Sequence, residues 1–203
     1  MRNQNLESVR KKEVIMYYHA SQTPNIKILT PHISNHGKPL IYFSTKRENT
    51  LVYLSNAVEK HCKQIKLEHN GSYKKWASYG FTKDGILRLE EYYPNATFET
   101  YHGISGYIYA TESLTSYEIQ KDIPHAIITE CPVPVTSCEY IPDAYQAMMD
   151  AVNKGEIVLQ KYEENSEAKL EWIKKVINSE YEKSNDYPEY REFLKAKFEF
   201  LTH

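Results

Sequence analysis

The sequence has no long hydrophobic run. Its longest uninterrupted apolar stretches are about five residues, such as 14–18, whereas a helix that crosses a bilayer needs about 20. The opening residues, MRNQNLESVRKK, also lack the apolar centre of a signal peptide. We therefore expect a protein that does not insert into a membrane.

Cysteine is scarce, and charge of one sign is not in excess. The cysteines, Cys62, Cys131 and Cys138, are odd in number, and the spacing of the last two is not one that zinc sites use. A reduced, cytoplasmic protein is the simplest expectation. The formal net charge is -2 and the chain has no long basic stripe, so we do not expect nucleic-acid binding through phosphates.

Several enzyme motifs are also missing. The chain contains no Gly-x-Ser-x-Gly, no Walker loop and no Gly-x-Gly-x-x-Gly. His32 and His36 have a spacing that would suit a metal ion on a helix, but Pro31, Gly37 and Pro39 favour a loop there. We therefore expect no metal site.

Tyrosine, by contrast, is abundant. The chain has 18 Tyr, 6 Phe and 2 Trp. A tyrosine ring buries apolar area while its hydroxyl meets water or a polar ligand. Most of these residues are expected to fill half-buried faces of sheets and helices, and a few could line a ligand site.

The pattern of apolar residues predicts an α+β fold. A polar arm, 1–13, precedes a mixed core at 14–140. Helical spacing of Leu51, Leu54, Val58, Cys62 and Ile65 predicts a helix from about residue 47 to 65. Short apolar runs predict strands, a return strand and a proline-rich edge strand; these are 14–18, 26–29, 40–43, 86–89, 98–101, 104–110, 117–119, 126–129 and 131–136. The run 26–29 fits either a brief strand or a turn.

The pattern changes after Pro142. From there to the end of the chain, apolar residues recur at helical spacing in three groups, with Gly155 as a stop signal and Pro188 as a start signal. The predicted architecture is therefore a mixed β core with a C-terminal helical extension, 141–203.

One stretch carries side chains that could hold a small ligand. The candidate residues are His19, Ala20, Ser21, Tyr42, Thr50 and Tyr53. Backbone N–H and C=O groups beside a small residue can pair with a carboxamide. Thr50 and Tyr53 are three residues apart and would share one side of a helix. Two tyrosine rings could hold a flat aromatic amide while a hydroxyl bonds its edge.

This stretch resembles the NAD-binding region of ADP-ribosyltransferases of the diphtheria-toxin and poly(ADP-ribose) polymerase type. In that family a His ending the first core strand is followed by Gly and Ser or Thr, a later strand reads Tyr-Phe, and a helix supplies Ser and Tyr at fixed distances. The matching residues here are Tyr18-His19-Ala20-Ser21, Gly37-Lys38-Pro39-Leu40-Ile41-Tyr42-Phe43, Thr50 and Tyr53.

The resemblance implies an ADP-ribosyltransferase-like core and NAD as substrate or ligand. It would assign His19 to the ribose hydroxyls of NAD and the backbone of Ala20 to the nicotinamide amide. Tyr42 and Tyr53 would enclose the nicotinamide ring, and Thr50 would bond its amide. The match covers residues 16–53.

Two positions depart from the family pattern. Ala20 replaces the family's Gly, and its methyl group could crowd the carboxamide. The family's catalytic glutamate, which lies on a late core strand and stabilises an oxocarbenium-like transition state, has no clear counterpart, because His125 stands about where it is expected. Glu118 and Glu130 are the preferred catalytic candidates nearby, and Glu112 is a further alternative.

The leading expectation is a protein that binds NAD, a small nucleotide ligand, and transfers ADP-ribose to an unidentified acceptor as nicotinamide leaves. The alternative reading is a non-catalytic ligand-binding or interaction module that kept the pocket and lost the acid. The RNA 2′-phosphotransferase branch of the same fold is disfavoured by the missing basic patch. An interaction protein that uses its tyrosine-rich surface is a further alternative.

Overall fold

The structure, a computed structural model, describes residues 15–33, 37–69 and 78–202. Its strands are β1 (Tyr17–Ser21), β2 (Ile28–Leu29), β3 (His32–Ile33), β4 (Pro39–Ser44), β5 (Tyr79–Phe81), β6 (Leu87–Glu90), β7 (Gly106–Thr111), β8 (Glu118–Ile119), β9 (Ala126–Thr129), β10 (Val133–Pro134), β11 (Ser137–Ile141) and β12 (Ile157–Gln160). Its α-helices are α1 (Ala57–Ile65), α2 (Ala96–Tyr101), α3 (Ala144–Asn153), α4 (Glu167–Lys183) and α5 (Pro188–Lys197), with short 3-10 helices at Glu48–Tyr53, Tyr162–Glu164 and Glu199–Leu201.

The main sheet has the strand order β11-β7-β1-β4-β9-β8, and β3 pairs with the start of β4. All of these pairs are antiparallel. A second, small sheet joins β10 and β2, and a third has the order β12-β6-β5, in which β12 runs parallel to β6. The mixed α+β class is therefore confirmed.

The register sorts the side chains of the main sheet onto two faces, because paired residues point the same way and neighbours along a strand point opposite ways. The face that carries Phe43 also carries His19, which is paired with Tyr109. We call it the Phe43 face. The opposite face, here the Tyr42 face, carries Ala20.

Each face of the sheet covers a separate core. On the Phe43 face, Ile41, Phe43 and Tyr109 pack against Leu29 of β2 and Val133 of β10. On the Tyr42 face, the 3-10 helix Glu48–Tyr53 with the residue after it, α3, β6 and β12 form a larger core. Its large side chains that are 1% exposed or less are Leu51, Leu54, Leu87, Leu89, Met148 and Ile157. Apolar burial on both sides gives this sheet its stability.

A third core is built from helices. It joins α1 to α4 and α5 through Val58, Cys62, Ile177, Phe193 and Leu194, all of them 2% exposed or less. The helices of the predicted extension therefore pack directly on a helix of the predicted core. No helix within the described ranges is long and apolar enough to cross a membrane.

Most predicted elements are confirmed. Strands occur in each of the predicted runs at 26–29, 86–89, 104–110, 117–119 and 126–129. Alternation along the predicted strand 104–110 also predicts that Tyr107 and Tyr109 share one face and Ile108 lies on the other. The structure confirms this, since the two tyrosine rings stack and border the Phe43-face core while Ile108 lies in the other core.

The helix expected at about 47–65 is interrupted, which corrects the prediction. It is a 3-10 helix, Glu48–Tyr53, and then α1, which begins only at Ala57. Leu54 leaves helical geometry, with φ -86° and ψ 63°. In the first turn the Thr50 hydroxyl donates to the carbonyl oxygen of Arg47 over 2.7 Å, a local bond of the kind that competes with regular helix.

Three further differences concern strands. Residues 98–101, expected to pair back as a strand, belong to α2. The edge strand β11 was not predicted, and the helical extension contains the strand β12, which pairs with β6. The predicted arm at 1–13 and His36 fall outside the described residues. So do Asn70-Gly71, a pair that predicts a turn, and Trp76, which opens an aromatic connector in the sequence.

Candidate ligand-binding site

The main sheet splits between β1 and β4. β1 pairs with β7 along its whole length, and β4 pairs with β9 from Ile41 to Ser44. As far as the structure describes β1 and β4, one residue pair joins them, Tyr18 with Ser44. Beyond that pair, the facing edges of the two strands do not pair with each other, so backbone donors and acceptors there can serve a ligand.

The split opens into a cavity of about 510 Å³, a size that suits a small molecule. Both strands contribute to its walls, and the segment 23–33 covers it through β2 and β3. The lining residues are His19, Ser21, Thr23, Ile26, Ile28, Leu29, Thr30, His32, Ile33, Leu40, Ile41 and Tyr42. Three of the sequence-predicted site residues are therefore brought to one cavity.

His19 spans the split. Its Nδ1 lies 2.8 Å from the backbone oxygen of Tyr42. A carbonyl oxygen only accepts, so Nδ1 carries the proton, and in the neutral ring Nε2 is the acceptor nitrogen. The ring also lies 5.9 Å from that of Phe43. His19 and Tyr42 thus meet through a side chain and a backbone, while their rings occupy opposite faces of the sheet.

Tyr42 and Tyr53 lie on the same face. The 3-10 helix that ends at Tyr53 packs against β1 and β4 on the Tyr42 face. Burial raises the pKa of Tyr53, and the neighbouring hydroxyls of Tyr79 and Tyr42 raise it further. Tyr53 is nevertheless 39% exposed, and its hydroxyl lies near those of Tyr79 and Tyr42.

Thr50 and Ala20 are more enclosed than the other predicted residues. Thr50 is 1% exposed and its hydroxyl donates to the backbone of its own turn. The hydroxyl proton of Thr50 is therefore already engaged in a hydrogen bond within the protein. The methyl group of Ala20 is buried beside Ile108 on the Tyr42 face, while its backbone runs along the edge of the split.

The two candidate carboxylates line a different cavity. Glu118 and Glu130 border a space of about 360 Å³ together with Cys131. This space meets the split at Leu40, which lines both cavities. Glu118 shares the Tyr42 face, since Tyr42, Ile128 and Glu118 are paired in sequence across β4, β9 and β8. Because β9 lies between β4 and β8, the backbones of Tyr42 and Glu118 are two strand spacings apart, a distance of roughly 10 Å.

His125, at the position where the family acid is expected, closes a loop. It has a left-handed backbone, with φ 64°. Its carbonyl oxygen accepts from the N–H of Thr45, and its Nδ1 lies 3.3 Å from the Thr45 hydroxyl. The side chain therefore helps to hold the end of β4 to the start of β9.

Sequence reasoning missed two residues near the Tyr42–Tyr53 pair. Tyr79 lies in β5, and Gly106 opens β7 on the Tyr42 face. Neither has a local signal, because both reach this place through strand pairing with distant residues. Among the described residues there is no group of three or more His, Cys, Asp or Glu that could hold a metal ion.

Comparisons of the chain with models of protein families, with curated proteins and with solved structures found no match.

Proposed function

We propose that this protein binds NAD at the split between β1 and β4, with the nicotinamide ring between Tyr42 and Tyr53. The observation that carries the proposal is the split itself. Apart from the Tyr18–Ser44 pair, the facing edges of β1 and β4 do not pair with each other. The rings of Tyr42 and Tyr53 lie beside these edges on one face of the sheet. A flat aromatic amide needs both features, since its faces stack on rings and its edge pairs with backbone groups.

Each residue would then have a distinct role. The strand edge at Ala20 pairs with the carboxamide of nicotinamide. Nε2 of His19, fixed as an acceptor by the bond from Nδ1 to the backbone of Tyr42, accepts from a ribose hydroxyl. The cavity of about 510 Å³ on the His19 side has room for a further part of the nucleotide. Thr50 supports the turn that presents Tyr53 and does not donate to the ligand.

Transfer of ADP-ribose is a further step of the same proposal. The bond between ribose C1′ and the nicotinamide nitrogen would break, and nicotinamide would leave with the bonding electron pair. A nucleophile on the acceptor would form the new bond to C1′ and lose its proton to a carboxylate or to water. Glu118 is a candidate for that carboxylate, because the strand register puts it on the face of Tyr42.

Ligand binding is tested by calorimetric titration with nicotinamide, NAD and ADP-ribose, together with melting temperatures. Binding to the folded state raises the melting temperature. Tyr53→Ala should weaken binding of nicotinamide and NAD by about tenfold or more, because a stacked ring contributes about 1 kcal/mol beyond its buried area. Tyr140→Ala is the matched control, since Tyr140 is 55% exposed and lies on the edge strand β11.

Two results would count against NAD binding at the split. The first is no heat and no shift in melting temperature at millimolar nicotinamide and NAD. The second is an equal loss of affinity in Tyr53→Ala and Tyr140→Ala, which would place the ligand elsewhere.

A second candidate function is binding without transfer. The observation that favours it is the placement of Glu118 and Glu130 around a separate cavity that meets the split only at Leu40 within the described residues. Chromatography that measures nicotinamide released from NAD distinguishes transfer from binding alone. Release that falls in Glu118→Gln supports transfer. Binding of NAD with no release by the unaltered protein supports the non-catalytic module.

A further inference from the structure

Gly106 lies where the 3-10 helix Glu48–Tyr53 crosses the sheet. A methyl group added at this glycine would lie 2.5 Å from Cδ2 of Leu54 and 3.1 Å from the backbone oxygen of Ser21. The first distance is far shorter than the contact of about 3.5–4.0 Å between carbon atoms. Gly106 therefore lies between Leu54, the residue that ends the 3-10 helix, and the backbone of β1, on the side of β1 that pairs with β7.

Leu54 has little freedom to move aside. It is 0% exposed and packs in the core of the Tyr42 face. Its backbone N–H donates to the carbonyl oxygen of Leu51 over 2.9 Å, which closes the last turn of the 3-10 helix. Close-packed cores do not accept an extra methyl group without a shift of side chain or backbone. A side chain at position 106 would thus push the 3-10 helix, and with it Tyr53, away from β1 and β4.

We propose that Gly106 is a positioning residue that sets the gap between Tyr42 and Tyr53, and thereby selects planar ring ligands. This inference rests on the proposed function. Two rings that enclose one flat ring lie about 7 Å apart, or twice the usual contact distance. Because Gly106 has no side chain, the 3-10 helix can lie close enough to the sheet to hold the rings of Tyr42 and Tyr53 at that distance. A wider gap would lose contact with a flat ring and would admit a puckered one.

The chain also provides a matched control. Gly155 has φ 75°, and a methyl group added there would have no neighbour within 4 Å. Gly155→Ala therefore costs stability through backbone strain without displacing the 3-10 helix. A compensating variant is Gly106→Ala with Leu54→Val, which adds a methyl group at one position and shortens the side chain that it meets.

The experiment compares these variants in two measurements. Hydrogen exchange of the Leu54 amide reports the 3-10 helix, and calorimetry reports the affinities for nicotinamide and for its saturated, non-planar piperidine analogue. Gly106→Ala should speed hydrogen exchange at the Leu54 amide and weaken the binding of nicotinamide by about tenfold. It should also reduce the ratio of the affinity for nicotinamide to that for the analogue. In the double variant, Leu54→Val should restore all three properties. Gly155→Ala should change neither ligand affinity, and it should speed exchange at Leu54 no more than its loss of global stability accounts for.

Each other outcome has a clear meaning. If Gly106→Ala matches Gly155→Ala in exchange and in ligand preference, the inference is overturned. If the unaltered protein binds neither nicotinamide nor NAD, the proposed function fails, and the ligand part of this inference fails with it. In that case the exchange at Leu54 still decides whether Gly106 positions the helix. If Gly106→Ala does not fold, the double variant with Leu54→Val tests the same contact. A folded double variant that keeps the preference for nicotinamide supports the inference, and one that also fails to fold overturns it.

Discussion

Glu90 is a buried carboxylate whose oxygens are both occupied by cations. Its side chain is 8% exposed. Oε1 accepts from Nε of Arg88 over 2.9 Å, and Oε2 accepts from Nζ of Lys169 over 2.9 Å. Burial alone would raise the pKa of Glu90, but the hydrogen bonds from Lys169 and Arg88 outweigh it and the pKa is lowered. The hydrogen bonds that tie β6 to α4 are therefore strongest while the carboxylate is charged.

Replacing this carboxylate should make stability less dependent on pH. We expect Glu90→Gln to lower the free energy of unfolding by about 1–3 kcal/mol at pH 7, because it leaves two partly buried cations with a weaker partner. A folded-state pKa below the ordinary value gives stability that is present above about pH 4.5 and is lost as the pH falls. The gap between variant and parent should therefore shrink toward pH 3.

Urea unfolding at pH 7 and at low pH measures the effect. Glu171→Gln is the control, since Glu171 forms an exposed pair with Lys174 on α4 and exposed pairs contribute little. Equal changes in the two variants at pH 7 would show that the ion pairs of Glu90 are no stronger than a surface pair.

At the scale of elements, α3 is fixed by its N-terminal cap. Asp143 precedes the helix in an extended conformation, and its Oδ1 accepts from the N–H of Gln146 over 3.0 Å. Its Oδ2 accepts from the N–H of Gly103 over 2.9 Å and lies 3.2 Å from Nδ1 of His102. The cap therefore joins the start of α3 to the loop after α2.

Loss of the Asp143 cap should reduce the free energy of unfolding more than loss of its charge alone. Asp143→Ala should reduce the free energy of unfolding by about 1–2 kcal/mol, and Asp143→Asn by less, because asparagine also caps helices well. Burial would raise the pKa of Asp143, but the backbone N–H groups and His102 lower it. The stability that the charge contributes is therefore lost as the pH falls below about 3.8.

Thermal unfolding of the two variants at neutral pH checks this order. If the alanine and asparagine variants were equally destabilised, the contribution would come from the charge and not from the helix cap.

At the scale of the whole molecule, the helical core joins distant parts of the chain. Phe193 of α5 is 0% exposed and shares this core with α1 and α4. Cys62 of α1 lies 4.0 Å from the backbone oxygen of Glu189 in α5. Because α1 directly follows the 3-10 helix that presents Tyr53, loss of the C-terminal helices should disturb the sheet as well.

We expect Phe193→Ala to lower the free energy of unfolding of the whole chain by about 3–5 kcal/mol, the cost of emptying a large buried site. Hydrogen exchange should show the loss in β1 as well as in α5. Phe200→Ala, at a half-buried ring of the same core, should cost less. Loss of protection confined to α4 and α5 would instead show that the helices unfold as a separate unit.

The sequence by itself determined the elements whose signal is local. Helical spacing and the Pro188 start signal predicted α3, α4 and α5, and alternation predicted which residues of β7 share a face. These features follow from repeats of 3.6 and 2 residues, which nearby residues set. The break at Leu54 escaped the same reasoning, because the apolar spacing continues across it.

Only the tertiary structure decided the candidate site. The split depends on β1 pairing with β7 and β4 pairing with β9, partners that lie many residues away in the chain. The same pairing put the ring of His19 on the face opposite to Tyr42, although the sequence suggested that the rings would converge. Local repeats fix which way a side chain points relative to its own strand, but pairing across the sheet fixes which side chains meet.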